Sequence, residues 1–190
     1  MKHFATHAAK QAYIQAQATF LEGIAKHCDY AITLQTNLRT YAVAESTKRA
    51  RLAATERALT KFRLRMNQLL TGNGWRRKAA YVPVFVASIE GMGDKDKTLH
   101  IHAALGNTGH IATEQTRVLL EQGLRHIWLR TDVSTEQGGL WVAADDVKVV
   151  LIDRAADRAW MGYMGKEATN KGNWDVIDWT NAQGITGLNT

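Results

Sequence analysis

Two histidines separated by one aliphatic residue, in Thr98-Leu99-His100-Ile101-His102-Ala103-Ala104-Leu105, carry the clearest chemistry in this chain. Alternation along a strand places His100 and His102 on one face and Leu99, Ile101 and Ala103 on the other. Their Cα atoms are then about 7 Å apart, so the rings can converge on one cation, and imidazole is the commonest metal ligand. Glu90 closes the preceding apolar run, and the polar stretch Gly91-Met92-Gly93-Asp94-Lys95-Asp96-Lys97 separates it from the histidines. A hairpin at that turn brings Glu90 within reach of the histidine face.

Downstream, Tyr163-Met164-Gly165-Lys166 sets a phenol and an ammonium three residues apart, on neighbouring positions of one helix face. A cation beside a phenol favours the phenolate and also attracts phosphate. Two other patterns fail on inspection. Gly91 to Thr98 ends like a phosphate-binding P-loop, but Asp96 stands where a glycine is required before the lysine. Nucleotide hydrolases of the histidine-triad type need a third histidine where this chain has Ala104.

These residues need a framework. Ala5 to about His27 reads as an alanine-rich helix, and Tyr30 to Asn37 as a strand with Tyr30, Ile32 and Leu34 on one face and Thr33 and Gln35 on the other. A long helix from Ala42 to Leu70 follows, with Leu59, Phe62, Met66, Leu69 and Leu70 on one stripe and a stop at Thr71-Gly72-Asn73-Gly74. Tyr81 to Glu90 is the next strand; Pro83, the only proline, suits an edge or strand-start position. After the histidine strand, Gly106 to Gly109 breaks the chain. Ala112 to His126 is a helix with Val118, Leu119 and Leu120 inward, and Ile127 to Val133 is a short strand. Past Gly138-Gly139 come Leu140-Trp141-Val142 and the strand Val147 to Ile152. Asp153 then caps a helix from Arg154 to Glu167, and a Gly-, Asn- and Thr-rich tail runs from Trp174 to Thr190. The sum is an α+β sheet with helices on one side.

At 190 residues the chain is most simply a single domain, 1–190, with the N-terminal helix (1–28) and the tail (174–190) as extensions. The net charge of +6 is unevenly spread. Between Val43 and Lys78 ten basic residues face two acids, Glu45 and Glu56. Arg57, Lys61 and Arg65 form a ridge on one helix face, and Arg76, Arg77 and Lys78 follow its end. A merely solvated face would intersperse acids, so this segment reads as a track for a phosphate backbone. A lone cysteine, Cys28, excludes an internal disulfide and suits a reducing compartment. Without an apolar run of about 18 residues or a signal peptide, the expectation is a soluble cytoplasmic protein with no membrane partner.

The strand Tyr30-Ala31-Ile32-Thr33-Leu34, the acid–turn–His-x-His hairpin and the helical Tyr-x-x-Lys, in that order, resemble the HUH endonucleases. Within that superfamily they look most like the rolling-circle replication initiators of plasmids, phages and small single-stranded DNA genomes. The three motifs cover Ala31–Asn37, Glu90–Leu105 and Asp153–Glu167. The resemblance implies a ferredoxin-like fold whose central antiparallel sheet carries the histidines, with helices on its faces. It implies a divalent Mn²⁺ or Mg²⁺ held by His100 and His102, with Glu90 as third ligand and Asp94 as the fallback; imidazole plus hard oxygen suits either ion. Tyr163 would be the nucleophile and Lys166 its electrostatic helper, on single-stranded DNA or an origin hairpin, with Trp75 or Tyr81 free to stack a base. A relaxase or single-tyrosine transposase shares that chemistry, and a non-catalytic DNA- or RNA-binding protein shares the fold. The chain has one tyrosine in the third motif and no P-loop helicase domain, so unwinding would fall to a host helicase.

Overall fold

The computed structural model describes residues 6–131, 142–152 and 177–185. The elements run α1 (His7–Ala25), β1 (Tyr30–Thr36), α2 (Glu45–Thr71), two short 3₁₀ turns (Gly74–Arg76 and Ala79–Tyr81), β2 (Val84–Glu90), β3 (His100–Gly106), α3 (Glu114–Leu129) and β4 (Ala143–Leu151). The strands form one antiparallel sheet in the order β2-β3-β1-β4. In β1-α2-β2 and again in β3-α3-β4, a helix joins two strands that leave room for a third between them. This is the split β-α-β plan of the ferredoxin-like α+β fold. Right-handed crossovers in both halves send α2 and α3 to the same side of the sheet.

The strand alternation decides what those helices cover. Ile32 and Leu34, Phe85 to Ile89 at alternate positions, Ile101 to Leu105 likewise, and Val147 and Val149 make one apolar face. Ala58, Leu59, Phe62 and Met66 of α2 and Leu120, Leu124 and Trp128 of α3 pack on it. Phe62 meets Trp128 edge-on, with ring centroids 5.7 Å apart, and the indole N–H of Trp128 donates to the Gln35 carbonyl at 2.9 Å. A large ring is thereby buried without stranding its donor. Leu69, on the same stripe but near the end of α2, is 51% exposed, its side chain lying over Gly123 of α3.

The expectation of helices on one side alone is corrected by α1. Its Leu21 and Ile24 cover Val84, Val86 and Ala104, which point to the opposite face, the one that bears the histidines. Apolar residues at that end of β2 and β3 demand a cover, whereas the other end carries Glu90, His100 and His102. The outer edge of β2 is paired too: the bridges Phe85–Gln183 and Ser88–Ile177 lay the segment Ile177–Ile185 along it.

Other boundaries shift for local reasons. The strand expected from Tyr81 begins at Val84, because Ala79–Tyr81 makes a 3₁₀ turn ahead of Pro83. The strand expected at Ile127–Val133 is helix through Leu129: Leu124, Ile127 and Trp128 continue the buried spacing begun at Leu120. Val118 and Leu119, expected inward, are 37% and 61% exposed. Leu140-Trp141, the capping Asp153 and the helix Arg154–Glu167 lie outside the described residues.

Candidate metal centre

Pairing of β2 with β3 sets Glu90 opposite His100, and pairing of β1 with β3 sets Gln35 opposite His100 and Thr33 opposite His102. Five side chains from three strands thus share one patch of one sheet face. Glu90 is fully buried and each histidine is 6% exposed. Glu90 Oε2 lies 3.8 Å from His100 Nε2 and 3.9 Å from His102 Nε2. Two ligands each about 2.1 Å from a cation stand about 3.0 Å apart at right angles and at most about 4.2 Å apart in line. Both separations fall inside that window. One ligand atom from each of the three residues lies within 4.8 Å of the others, and the imidazoles meet nearly perpendicular, at 86°. The group can hold a metal ion.

The neighbours of the rings select the lone pairs that face Glu90. His100 Nδ1 lies 3.1 Å from the Thr98 carbonyl, and His102 Nδ1 lies 3.2 Å from Thr33 Oγ1. A carbonyl only accepts, so Nδ1 of His100 donates to it, and in the neutral ring that leaves the lone pair on Nε2; the Thr33 hydroxyl can accept from or donate to His102 Nδ1, and accepting gives His102 the same tautomer. Ligating histidines are commonly oriented through their other nitrogen in this way.

The hairpin itself is built around a glycine. Gly91 has φ +89°, and a Cβ there would lie 2.3 Å from the Thr98 carbonyl oxygen and 3.1 Å from His100 Nδ1. Thr40, fully buried, holds the turn from the other side by donating to Gly91 O and accepting from the Gly93 N–H at 2.7 Å. Asp94, the fallback ligand, accepts from the Asp96 N–H at 3.0 Å within the turn; the carboxylate that joins the histidines is that of Glu90.

An open cleft of about 350 Å³ lies over the histidines, lined by Gln35, Asp96, Lys97, Thr98, His100 and His102. Lys148 of β4 pairs with Thr33, which places it on the same face and exposed to solvent. The cleft itself is lined by one cation, Lys97, and one acid, Asp96; Lys148 adds a second cation to the same sheet face.

The sheet separates this group from the basic ridge. Arg57, Lys61 and Arg65 are exposed on α2, which packs on the face opposite the histidines, and Arg65 also donates to the Arg130 carbonyl. Arg76, Arg77 and Lys78 are exposed in the turn after α2. That turn is tied to the other end of β3, where Asn107 Nδ2 donates to the carbonyls of Ala80 and Val82 at 3.0 and 2.9 Å. Tyr163 and Lys166 lie outside the described residues. The residues that bracket their segment, Ile152 and Ile177, both join the apolar cluster on the histidine side of the sheet.

Thr33, Thr98, Gly91 and Thr40 were not singled out from sequence as parts of a site. Only the alternation of β1, which sets Thr33 and Gln35 on its polar face, hinted at them. Comparison with protein-family models, curated proteins and solved structures finds no match to this chain.

Proposed function

We propose that the chain is a metal-dependent, site-specific single-stranded DNA endonuclease and strand transferase that initiates rolling-circle replication through a 5′-phosphotyrosine link. The observation that carries this reading is the convergence of Glu90, His100 and His102 below an open cleft, with Lys97 in its lining and Lys148 on the same sheet face. Buried imidazole and carboxylate ligands opening onto such a cleft suit a phosphodiester, whose charge a bound cation would offset.

Mn²⁺ or Mg²⁺ held by the three ligands would neutralise a non-bridging phosphate oxygen. The chain supplies the remainder. Lys97 and Lys148 draw the backbone over the cleft, and Gln35 offers an amide beside His100. An unperturbed phenol is only about one-thousandth ionised at pH 7. Lys166, three residues from Tyr163 in the sequence, would favour the phenolate. The phenolate oxygen attacks phosphorus and the bond to O3′ breaks; O3′ takes up a proton to become a free hydroxyl, and the 5′-phosphate stays esterified to Tyr163. The ester conserves the phosphodiester bond for later rejoining.

The test incubates the full chain with labelled single-stranded origin oligonucleotides and Mn²⁺ and looks for a covalent adduct on a denaturing gel. Wild type should form it; Tyr163→Phe should not, and neither should wild type in EDTA nor the double variant His100→Ala/His102→Ala. Binding with no adduct across a broad oligonucleotide set would replace the enzyme by a DNA-binding module.

A further inference from the structure

The turn between α2 and β2 carries chemistry that the metal group does not use. Each aromatic ring there has a cation against it: Arg76 Cζ is 5.1 Å from the Trp75 ring centroid and Lys78 Nζ 5.8 Å from that of Tyr81. Arg76, Arg77 and Lys78 are exposed, and Tyr81 is 49% exposed. From Arg57 to Ile89 the sequence contains no acid, so nothing nearby along the chain balances these charges.

The exposed ring is held in place. Asn107, itself at φ 51°, donates to the carbonyls of Ala80 and Val82 and so pins the backbone on both sides of Tyr81. Gly74 sits against the ring, where a Cβ would come within 3.3 Å of Tyr81 Cδ2. A fixed, half-exposed aromatic ring beside three consecutive cations matches a ligand with flat bases and regularly spaced phosphates. An acidic protein would engage the cations, but a ring fixed among them favours stacking on a base, and a membrane surface calls for a broader apolar face than one tyrosine.

We infer that Gly74–Tyr81 is a base-stacking clamp for unpaired nucleic acid, with Tyr81 stacking a base and Arg76, Arg77 and Lys78 contacting phosphates. The clamp lies at the Gly106 end of β3 and the metal ligands at the His100 end, which puts them about 20 Å apart by the strand rise. A base-stacked strand covers that distance in about six nucleotides at 3.4 Å each, and a stretched one in fewer. The clamp as a binding site stands by itself; its spacing from a cleavage position rests on the function proposed above.

Fluorescence anisotropy of the full chain with labelled oligo-dT of about four, eight and sixteen nucleotides, in EDTA and in Mn²⁺, tests both parts. In EDTA, Tyr81→Ala should weaken binding of the longest strand about 5- to 100-fold, and Tyr81→Phe should restore it. Replacing Arg76, Arg77 and Lys78 by Gln should lower the slope of log K against log salt by about 2. Mn²⁺ should add affinity for the two longer strands and not change the loss caused by Tyr81→Ala. Wild-type affinity in Tyr81→Ala overturns the clamp, as does equal weakening by Ala and Phe, or an equal loss of binding to heparin and to DNA. If Mn²⁺ has no effect at any length while Tyr81→Ala still weakens binding, the clamp stands and the cation-dependent reading of the histidines fails.

Discussion

At the scale of single residues, Thr33 bears most on the metal group without being a ligand. Its hydroxyl is the partner of His102 Nδ1 at 3.2 Å, so it fixes the ring whose Nε2 faces Glu90. Thr33→Val keeps the shape and removes the hydroxyl that holds the ring. Loss of such an orienting partner commonly lowers metal affinity about 10- to 100-fold. Calorimetric titration with Mn²⁺ should show that fall, and Thr33→Ser should recover it; an unchanged affinity in the valine variant would refute the orienting role. His100, His102 and Glu90 were legible because alternation and a seven-residue turn are local properties of the chain. Thr33 was not, because its place opposite His102 depends on a register between strands 69 residues apart in sequence.

Among the elements, α3 shows how a helix is fastened to the sheet from its exposed flank. Thr113 and Thr116 form a capping box at its start. Arg117 then donates to Glu114 at 2.8 Å, to Glu121 at 3.0 Å and to the Val149 carbonyl at 2.9 Å, while Glu121 accepts from the Val149 N–H. The hydrogen bond from Arg117, with help from its charge, holds the Glu114 carboxyl below its ordinary range against the opposing effect of desolvation. An acid with a lowered folded pKa contributes stability that is complete above its unfolded pKa and is lost as pH falls through the lowered value. The thermal midpoint of wild type should therefore fall on acidification through that window more than that of Glu114→Gln. Superimposable pH profiles for the two proteins would dismiss the contribution. The same helix misled the sequence reading at both ends of its apolar pattern. Val118 and Leu119 are apolar but exposed, and Ile127-Trp128-Leu129 has strand-like composition but completes a helical stripe. Short apolar runs carry no period that separates the two states.

For the molecule as a whole, the closing contact is made by the segment Ile177–Ile185. Gln183 and Asn67 exchange side-chain amide hydrogen bonds at 2.6 and 2.9 Å, and Arg63 donates to both Gln183 and Asn181. Asn67 is fully buried, so Gln183→Ala would leave its amide and the half-buried Arg63 short of partners. The cost should be about 2–4 kcal/mol, which for a chain of this size lowers the thermal midpoint by roughly 5–15 °C. A change under about 1 °C would show that this network does not hold the segment. The docking also reaches the neighbourhood of the metal group: Ile177 is bridged to Ser88, two residues before Glu90 in β2.

By itself the sequence determined most of the described element types, the alternation that puts His100 and His102 together, the turn that returns Glu90 to them, and the concentration of positive charge between Val43 and Lys78. Each depends on residues near one another in the chain. Only the tertiary structure decided that Thr33 and Gln35 adjoin the histidines, that α1 covers the far end of their face, and that the ridge of Arg57, Lys61 and Arg65 lies across the sheet from them. Those outcomes follow from strand register and crossover handedness, which act between segments tens of residues apart and leave no local pattern. The His100–His102 pair was therefore readable as a potential ligand pair, while the Thr33 contact that orients it was set by the fold.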